Sequence, residues 1–366
     1  MKLNVLTLPG DGIGIEVTTE AVKVLKHIAG LYGHELSLSE GLLGGIAIHK
    51  TGHPFPDETR ELALHADATL MGAVGLPEFD NAPPDKRPER GLLGIRKTLE
   101  VYANLRPVRS YKALLDSSPL KNHLADGVDM IIVRELTGGL YYGTPRGISG
   151  SGAEERAVNS MVYTRPEIER VTHMAFQLAR KRRKKVTSVD KSNVLENSQL
   201  WRRVVTEVAR EYPDVTLDHL LVDNCAMQLV LNPKRFDVVL TENLFGDILS
   251  DEGAVLAGSI GMLPSASIGS QRPSGAWVGL YEPVHGSAPD IAGQNKANPL
   301  GAIGSVAAML EYSFGLMEEA NAVNRAMEEV LNSGRVTADL KPAGAPATTA
   351  EVGDAICATL VRPVTA

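Results

Sequence analysis

Short apolar runs alternate with amphipathic stretches along nearly the whole chain. The apolar segments Leu3–Leu8, Ala68–Met71, Met130–Val133, Val186–Val189, Thr216–Val222 and Phe236–Leu240 predict β-strands. Apolar positions at helical spacing predict helices over Gly14–Ala29, Pro56–His65, Leu92–Leu99, Pro166–Arg180, Ser198–Tyr212, Gly301–Phe314 and Asn321–Leu331. The Pro- and Ala-rich segment Lys341–Thr349 reads as a loop before a last helix, Ala350–Val361. Strands alternating with helices predict an α/β fold with a large, mostly parallel sheet. No repeat or low-complexity tract interrupts the pattern.

One stretch departs from it. Leu140–Gly143 and Ala157–Tyr163 are strand-like, and a Gly/Ser-rich turn from Gly147 to Gly152 joins them. This predicts a hairpin with no helix of its own to pack on, which is marginal in water. A homodimer in which the hairpin pairs with its copy is therefore expected.

Composition narrows the function. A net charge of −7 and a pI near 5.8 argue against a nucleic-acid binder, which needs a basic field. The basic run Arg180–Lys185 closes a predicted helix, where cations favour the macrodipole, and is expected to be a solvated helix end. Cys225 and Cys357 alone cannot build a disulfide framework. There is no charged-then-apolar leader and no apolar run long enough to span a membrane, so a soluble cytoplasmic protein is expected.

The candidate chemistry lies between the elements. Asp247 and Asp251, on a predicted helix after Gly246, share one face at i and i+4. They are either two solvated carboxylates or a pair with a cation between them, for which Mg²⁺ or Mn²⁺ is suited. Arg96, Arg106 and Arg134 border apolar elements; each is either a surface ion-pair partner or part of a clamp for a di- or tricarboxylic acid. Lys191 follows a strand at the sheet edge where α/β folds bind ligands, and reads as a surface lysine or a general base. Pro9–Gly14 is a tight strand-to-helix turn, but it lacks the third glycine of a dinucleotide fingerprint. Leu280–Gly293 is too polar for core and reads as a binding loop.

Taken in this order, the motifs resemble the metal-dependent β-decarboxylating dehydrogenases, which act on isopropylmalate, isocitrate, homoisocitrate and tartrate or D-malate. The likeness runs from Leu8–Gly14 to Glu351–Ala355, and Arg134–Tyr142, Asp190–Leu195, Asn243–Asp251 and Glu282–Gly293 are its most diagnostic stretches. It implies a two-domain fold distinct from the Rossmann type. Residues 1–101 and 260–366 would form a first domain with the nucleotide loop. Residues 102–259 would form a second, with the hairpin arm (138–163), the dimer interface and the metal site.

The resemblance also implies roles. Arg96, Arg106 and Arg134 would clamp the malate carboxylates, with Glu89, Leu92 and Leu93 beside the third substituent. Isocitrate enzymes carry Ser and Asn on this helix; Leu92 and Leu93 suit an isopropyl group, although core packing is their other reading. Asp247 and Asp251 would hold Mg²⁺ or Mn²⁺, joined by Asp223 from a second subunit. Lys191, also from that subunit, would be the base and Tyr141 the acid. Ile13, Glu282, His285, Gly286, Ser287, Ala288, Asp290 and Asn298 would bind NAD, with Asp290 at the ribose hydroxyls and Asp339 a candidate adenine-side neighbour. The expected reaction is oxidative decarboxylation of (2R,3S)-3-isopropylmalate to 4-methyl-2-oxopentanoate, CO₂ and NADH. The alternatives are 3-alkylmalate, D-malate/tartrate or homoisocitrate oxidation, or a regulatory subunit without catalysis.

Overall fold

A computed structural model describes residues 1–83, 86–256, 258–274 and 276–362. Its chain divides into two compact units, and ten strands, five in each, make mixed but mostly parallel sheet.

The first unit comprises Met1–Val101, Ser110–Asn122 and Ala254–Ala366. Its strands lie in the order Glu35–Glu40, Lys2–Gly10, Ala68–Ala73, Trp277–Pro283 and Pro264–Gln271; only the last pair is antiparallel. Leu3, Val5, Leu6, Leu8 and Leu70 are fully buried. That explains the near-continuous apolar runs, since strands covered on both faces need no polar alternation. Helix Leu300–Tyr312 is buried around most of its circumference; Gly14–Tyr32 and Met317–Asn332 pack with it through one apolar face, and Thr349–Thr359 packs on those two helices.

The second unit comprises Tyr102–Arg109 and His123–Gly253. Ala103–Arg109 runs antiparallel to Asp129–Glu135, followed in parallel by Val238–Thr241, Lys185–Asp190 and Thr216–Leu221. Register pairs Thr241 with both Arg134 and Val189, and Asp190 with Leu221. The carboxyl ends of four parallel strands therefore deliver Arg134, Asn243, Lys191 and Asp223 to one edge of the sheet, the usual ligand edge of such folds.

Several expected elements differ. Segment Ser110–Asn122 groups with the first unit, where the sequence reading drew it into the second. Strands Glu35–Glu40, Ala103–Arg109, Pro264–Gln271 and Trp277–Pro283 carried too many polar or small residues to stand out. Leu280–Pro283, read as loop, is the end of a buried strand. Leu140 and Tyr141 lie in a 3-10 turn, Gly139–Tyr141, and are not strand. The hairpin is shorter than expected, pairing only Gly147–Ser149 with Arg156–Val158, all exposed. In the basic run, Arg180 is held by Asp214, Arg182 by Asp129 and Asp237, and Arg183 by the Phe236 carbonyl.

Candidate active site

Helix Asn243–Leu256 starts directly after a central strand of the second unit, so its first turns stand at the sheet edge. Asp247 and Asp251 project from one face, and one guanidinium serves both. Arg106 Nη1 donates to Asp251 Oδ1 at 3.2 Å, and Nη2 lies 3.5 Å from Asp247 Oδ1. Arg106 is itself fixed by Asn104 Oδ1 (2.9 Å) and Ser250 Oγ (2.6 Å). Arg134 Nη1 donates to Asp247 Oδ1 and its Nε to Asn243 Oδ1 at 2.9 Å. Tyr141 donates to Asp247 Oδ2 at 2.9 Å, its ring 5.7 Å from the Arg134 guanidinium.

Two consequences follow from this charge arrangement. Burial, then the nearby Asp247 charge and hydrogen bond, push the Tyr141 phenol up to about 12, against a smaller pull from Arg134. Tyr141 is therefore an O–H donor across the neutral range. Burial likewise raises Asp251, and Asp247 adds to the shift although Arg106 and Arg134 oppose it. Two carboxylates on one helix face thus present hard oxygen donors side by side. A divalent cation ligated by these oxygens fits that donor set, because hard cations take carboxylate oxygens.

Lys191 and Asp223 stand apart from this cluster as an ion pair of 2.6 Å. The hydrogen bond from Lys191 holds the Asp223 carboxyl below its ordinary range. Asp223 is in the first turn of helix Val222–Leu231, a helix the sequence reading missed when it extended the preceding strand through Val222. Among the described residues of one chain, no three His, Cys, Asp or Glu side chains form a metal-holding group.

In the first unit, helix Glu89–Thr98 positions Leu92 and Leu93, both half-buried, and Arg96, which is buried. Arg96 Nη2 donates to Glu282 Oε1 at 2.7 Å, and its buried Nε has no partner. Glu89 is exposed. Glu282 ends a strand, and the following loop is pinned to the first turn of the sheet: Ile13 N–H donates to the Ser287 carbonyl at 2.8 Å. A Cβ at Gly12, whose φ is +54°, would strike that carbonyl. The Pro9–Gly14 turn thus needs glycine to admit the neighbouring loop.

The rest of that loop has the features of a polar-ligand site. His285 Nδ1–H donates to the Gly286 carbonyl (2.9 Å), while its buried Nε2 has no partner. Burial lowers its pKa and keeps the ring neutral. Ala288 has φ +37°, an unusual conformation for a residue with a side chain. Asp290 is exposed, and Asn298 donates to Asp339 at 3.0 Å. An orphaned imidazole nitrogen with exposed backbone and a free-standing carboxylate fits the donor and acceptor needs of a dinucleotide.

Sequence reasoning missed two organisers. Asp11, 2% exposed, accepts backbone N–H bonds from Gly45, Ile46 and Gly75, all at 2.8 Å. Asn243 bridges Arg134 to the carbonyls of Leu136 and Gly138. An acidic residue inside a glycine-rich turn and an asparagine opening a helix were the available signals.

Residues 4–356 match the family model described as isocitrate/isopropylmalate dehydrogenase. A 3-isopropylmalate dehydrogenase of Geobacillus kaustophilus (strain HTA426) is 58% identical over 340 residues, 93% of this chain and 90% of the relative. One from Aquifex aeolicus (strain VF5) is 53% identical over 362 residues, 99% of this chain and 98% of the relative. Among solved structures, isocitrate dehydrogenase from Methylococcus capsulatus aligns with a TM-score of 0.86 at 36% identity, over 99% of both chains. A β-decarboxylating dehydrogenase from Thermococcus kodakarensis aligns with a TM-score of 0.78 at 36% identity, over 98% of this chain and 96% of that one.

Proposed function

The chain belongs to the isocitrate/isopropylmalate dehydrogenase family, and from that premise we infer that it catalyses NAD- and divalent-metal-dependent oxidative decarboxylation of 3-isopropylmalate. The products are 4-methyl-2-oxopentanoate, CO₂ and NADH, and the step belongs to leucine biosynthesis. The observation carrying this choice within the family is the 53–58% identity to relatives bearing that substrate's name, against 36% to the isocitrate enzyme. Half-buried Leu92 and Leu93 support it, since they offer apolar surface where a third carboxylate would need polar partners.

When bound, NAD would supply the hydride acceptor, and a divalent cation, which Asp247, Asp251 and a second subunit's copy of Asp223 would hold, would supply Lewis-acid polarisation. The chain's own residues do the rest. Arg96, Arg106 and Arg134 hold the two carboxylates, their forks suited to bidentate contact. Lys191, supplied like Asp223 by a second subunit, removes the C2 hydroxyl proton. After oxidation, the carboxylate β to the new carbonyl leaves as CO₂, and the Tyr141 O–H delivers a proton to C3. Tyr141 fits the acid role because it is protonated at neutral pH. The loop from Glu282 through His285–Ala288 and Asp290, with Ile13 and Asn298, would seat the cofactor, and Glu89 would border the substrate.

The working form we propose is a homodimer with shared sites. Met227, Val230 and Leu231 on one helix, and Ile248 and Val255 on the next, are exposed apolar side chains; Ile148 on the hairpin is 74% exposed. Such surface favours burial in an interface. We place the protein in the cytoplasm: both cysteines are free, and no helix among the described residues is long and apolar enough to cross a membrane.

Initial rates with 3-isopropylmalate, D-malate, isocitrate and homoisocitrate test the reading. The highest kcat/KM belongs to 3-isopropylmalate; a better result with any other acid overturns the substrate. NADH formation stops with chelator and returns with Mn²⁺, and metal-independent turnover would defeat the mechanism.

A further inference from the structure

Behind Arg134 and Tyr141 lies a buried polar cluster that takes no part in the chemistry just described. Tyr163, 7% exposed, donates from its hydroxyl to Glu242 Oε2 at 3.3 Å and accepts from the Asn243 N–H at 2.9 Å. Glu242 in turn accepts from the N–H groups of Leu244 (3.0 Å) and Phe245 (2.6 Å), capping the helix that carries Asp247 and Asp251. The Asn243 side chain continues the path: Oδ1 accepts from Arg134 Nε, and Nδ2 donates to the carbonyls of Leu136 (3.3 Å) and Gly138 (3.0 Å).

The same phenol ring also supports the segment leading to Tyr141. Gly138 and Gly139 lie so close to it that a Cβ on either would meet Tyr163 ring or hydroxyl atoms. Gly139 N–H donates to the Val162 carbonyl at 2.9 Å, beside Tyr163 in sequence. From the other side, Glu135 accepts from the N–H groups of Thr137 (3.0 Å) and Gly138 (2.8 Å). Trp201 packs edge-on against Tyr163, with ring centroids 5.6 Å apart, without joining these hydrogen bonds.

We propose that Tyr163 and Glu242 are positioning residues: through Asn243 and the Leu136–Gly139 backbone they set the orientation of Arg134 and Tyr141. Burying a phenol and a carboxylate together is costly unless both are satisfied, and here each bond ends on a group that orients the site. The proposal rests on the functional reading above for the identity of the reaction. The geometry it concerns, however, is read independently of activity.

The experiment compares Tyr163→Phe with Trp201→Phe. The first removes the hydroxyl and keeps the ring; the second loosens the same core and keeps the hydroxyl. Tyr163→Phe should lower kcat about tenfold, because small misplacements of a catalytic group cost that much or more. KM should change less, since only one of the three carboxylate-binding arginines is attached to the relay. Trp201→Phe should lose thermal stability with kcat near wild type. Equal kcat losses in the two variants, or an unchanged kcat in Tyr163→Phe, would overturn the proposal.

Amide hydrogen exchange supplies the activity-independent readout. Asn243, Gly138 and Gly139 should exchange faster in Tyr163→Phe than in Trp201→Phe. Equal exchange in both refutes the relay, even if the wild-type protein proves inactive on 3-isopropylmalate. That inactivity would defeat the functional reading alone.

Discussion

Arg106 serves two carboxylates with one guanidinium, and that arrangement explains how Asp247 and Asp251 tolerate each other four residues apart. Like charges at this spacing destabilise a helix unless a cation intervenes. In the single chain the cation is an arginine, contributed by a strand whose polar residues hid it from the hydrophobic pattern. A second residue-scale effect concerns Glu135, which is wholly buried. Burial outweighs its hydrogen bonds to Thr137 and Gly138 and raises its carboxyl above the ordinary 4.5. A carboxyl raised in the fold contributes stability that is fully present below the unfolded value and lost as pH rises through the folded value. Glu135→Gln removes this dependence. Its urea midpoint should therefore gain on the wild type as pH rises above the ordinary carboxyl range; a gap that stays constant or moves the other way would show that the titration of Glu135 is not linked to folding.

At the level of elements, termini do much of the work. The last helix, Thr349–Thr359, opens with a reciprocal cap in which Thr348 and Glu351 satisfy each other's backbone N–H groups. Its first turn also anchors the end of the loop proposed to seat the cofactor: Thr349 N–H and Ala350 N–H donate to Asn295, at 3.0 Å each. Thr348→Ala should cost about 1 kcal/mol of unfolding free energy and weaken NAD binding more than substrate binding. Differential scanning calorimetry and a cofactor titration check this, and an unchanged NAD affinity would separate the cap from the loop. The long periodic helices and buried strands were legible in the sequence because burial imposes a regular apolar spacing. Strand Ala103–Arg109 was not, since Asn104, Arg106 and Pro107 interrupt that spacing. The hairpin was legible as a hairpin, but its pairing begins only at Gly147, because the residues around Tyr141 turn back to meet Tyr163 and Asp247.

For the molecule as a whole, the decisive question is whether one chain holds a complete site. Lys191 and Asp223 bond to each other and not to the Asp247–Asp251 cluster. Shared sites predict subunit complementation. Lys191→Ala and Tyr141→Phe, each nearly inactive alone, should recover roughly a quarter of wild-type activity when refolded together, because half the dimers are mixed and each mixed dimer has one intact site. No recovery from mixtures that contain the hybrid would place both residues in the same subunit's site. The sequence by itself determined the α/β alternation, the motifs that mark the family and the identity of the residues at the strand ends, because these depend on local period and residue chemistry. Tertiary structure alone decided that Arg106 lies between the two aspartates, that Asp223 pairs with Lys191, and that Tyr163 braces the turn before Tyr141. Each of those depends on contacts between residues distant along the chain, which no local pattern of polar and apolar positions encodes.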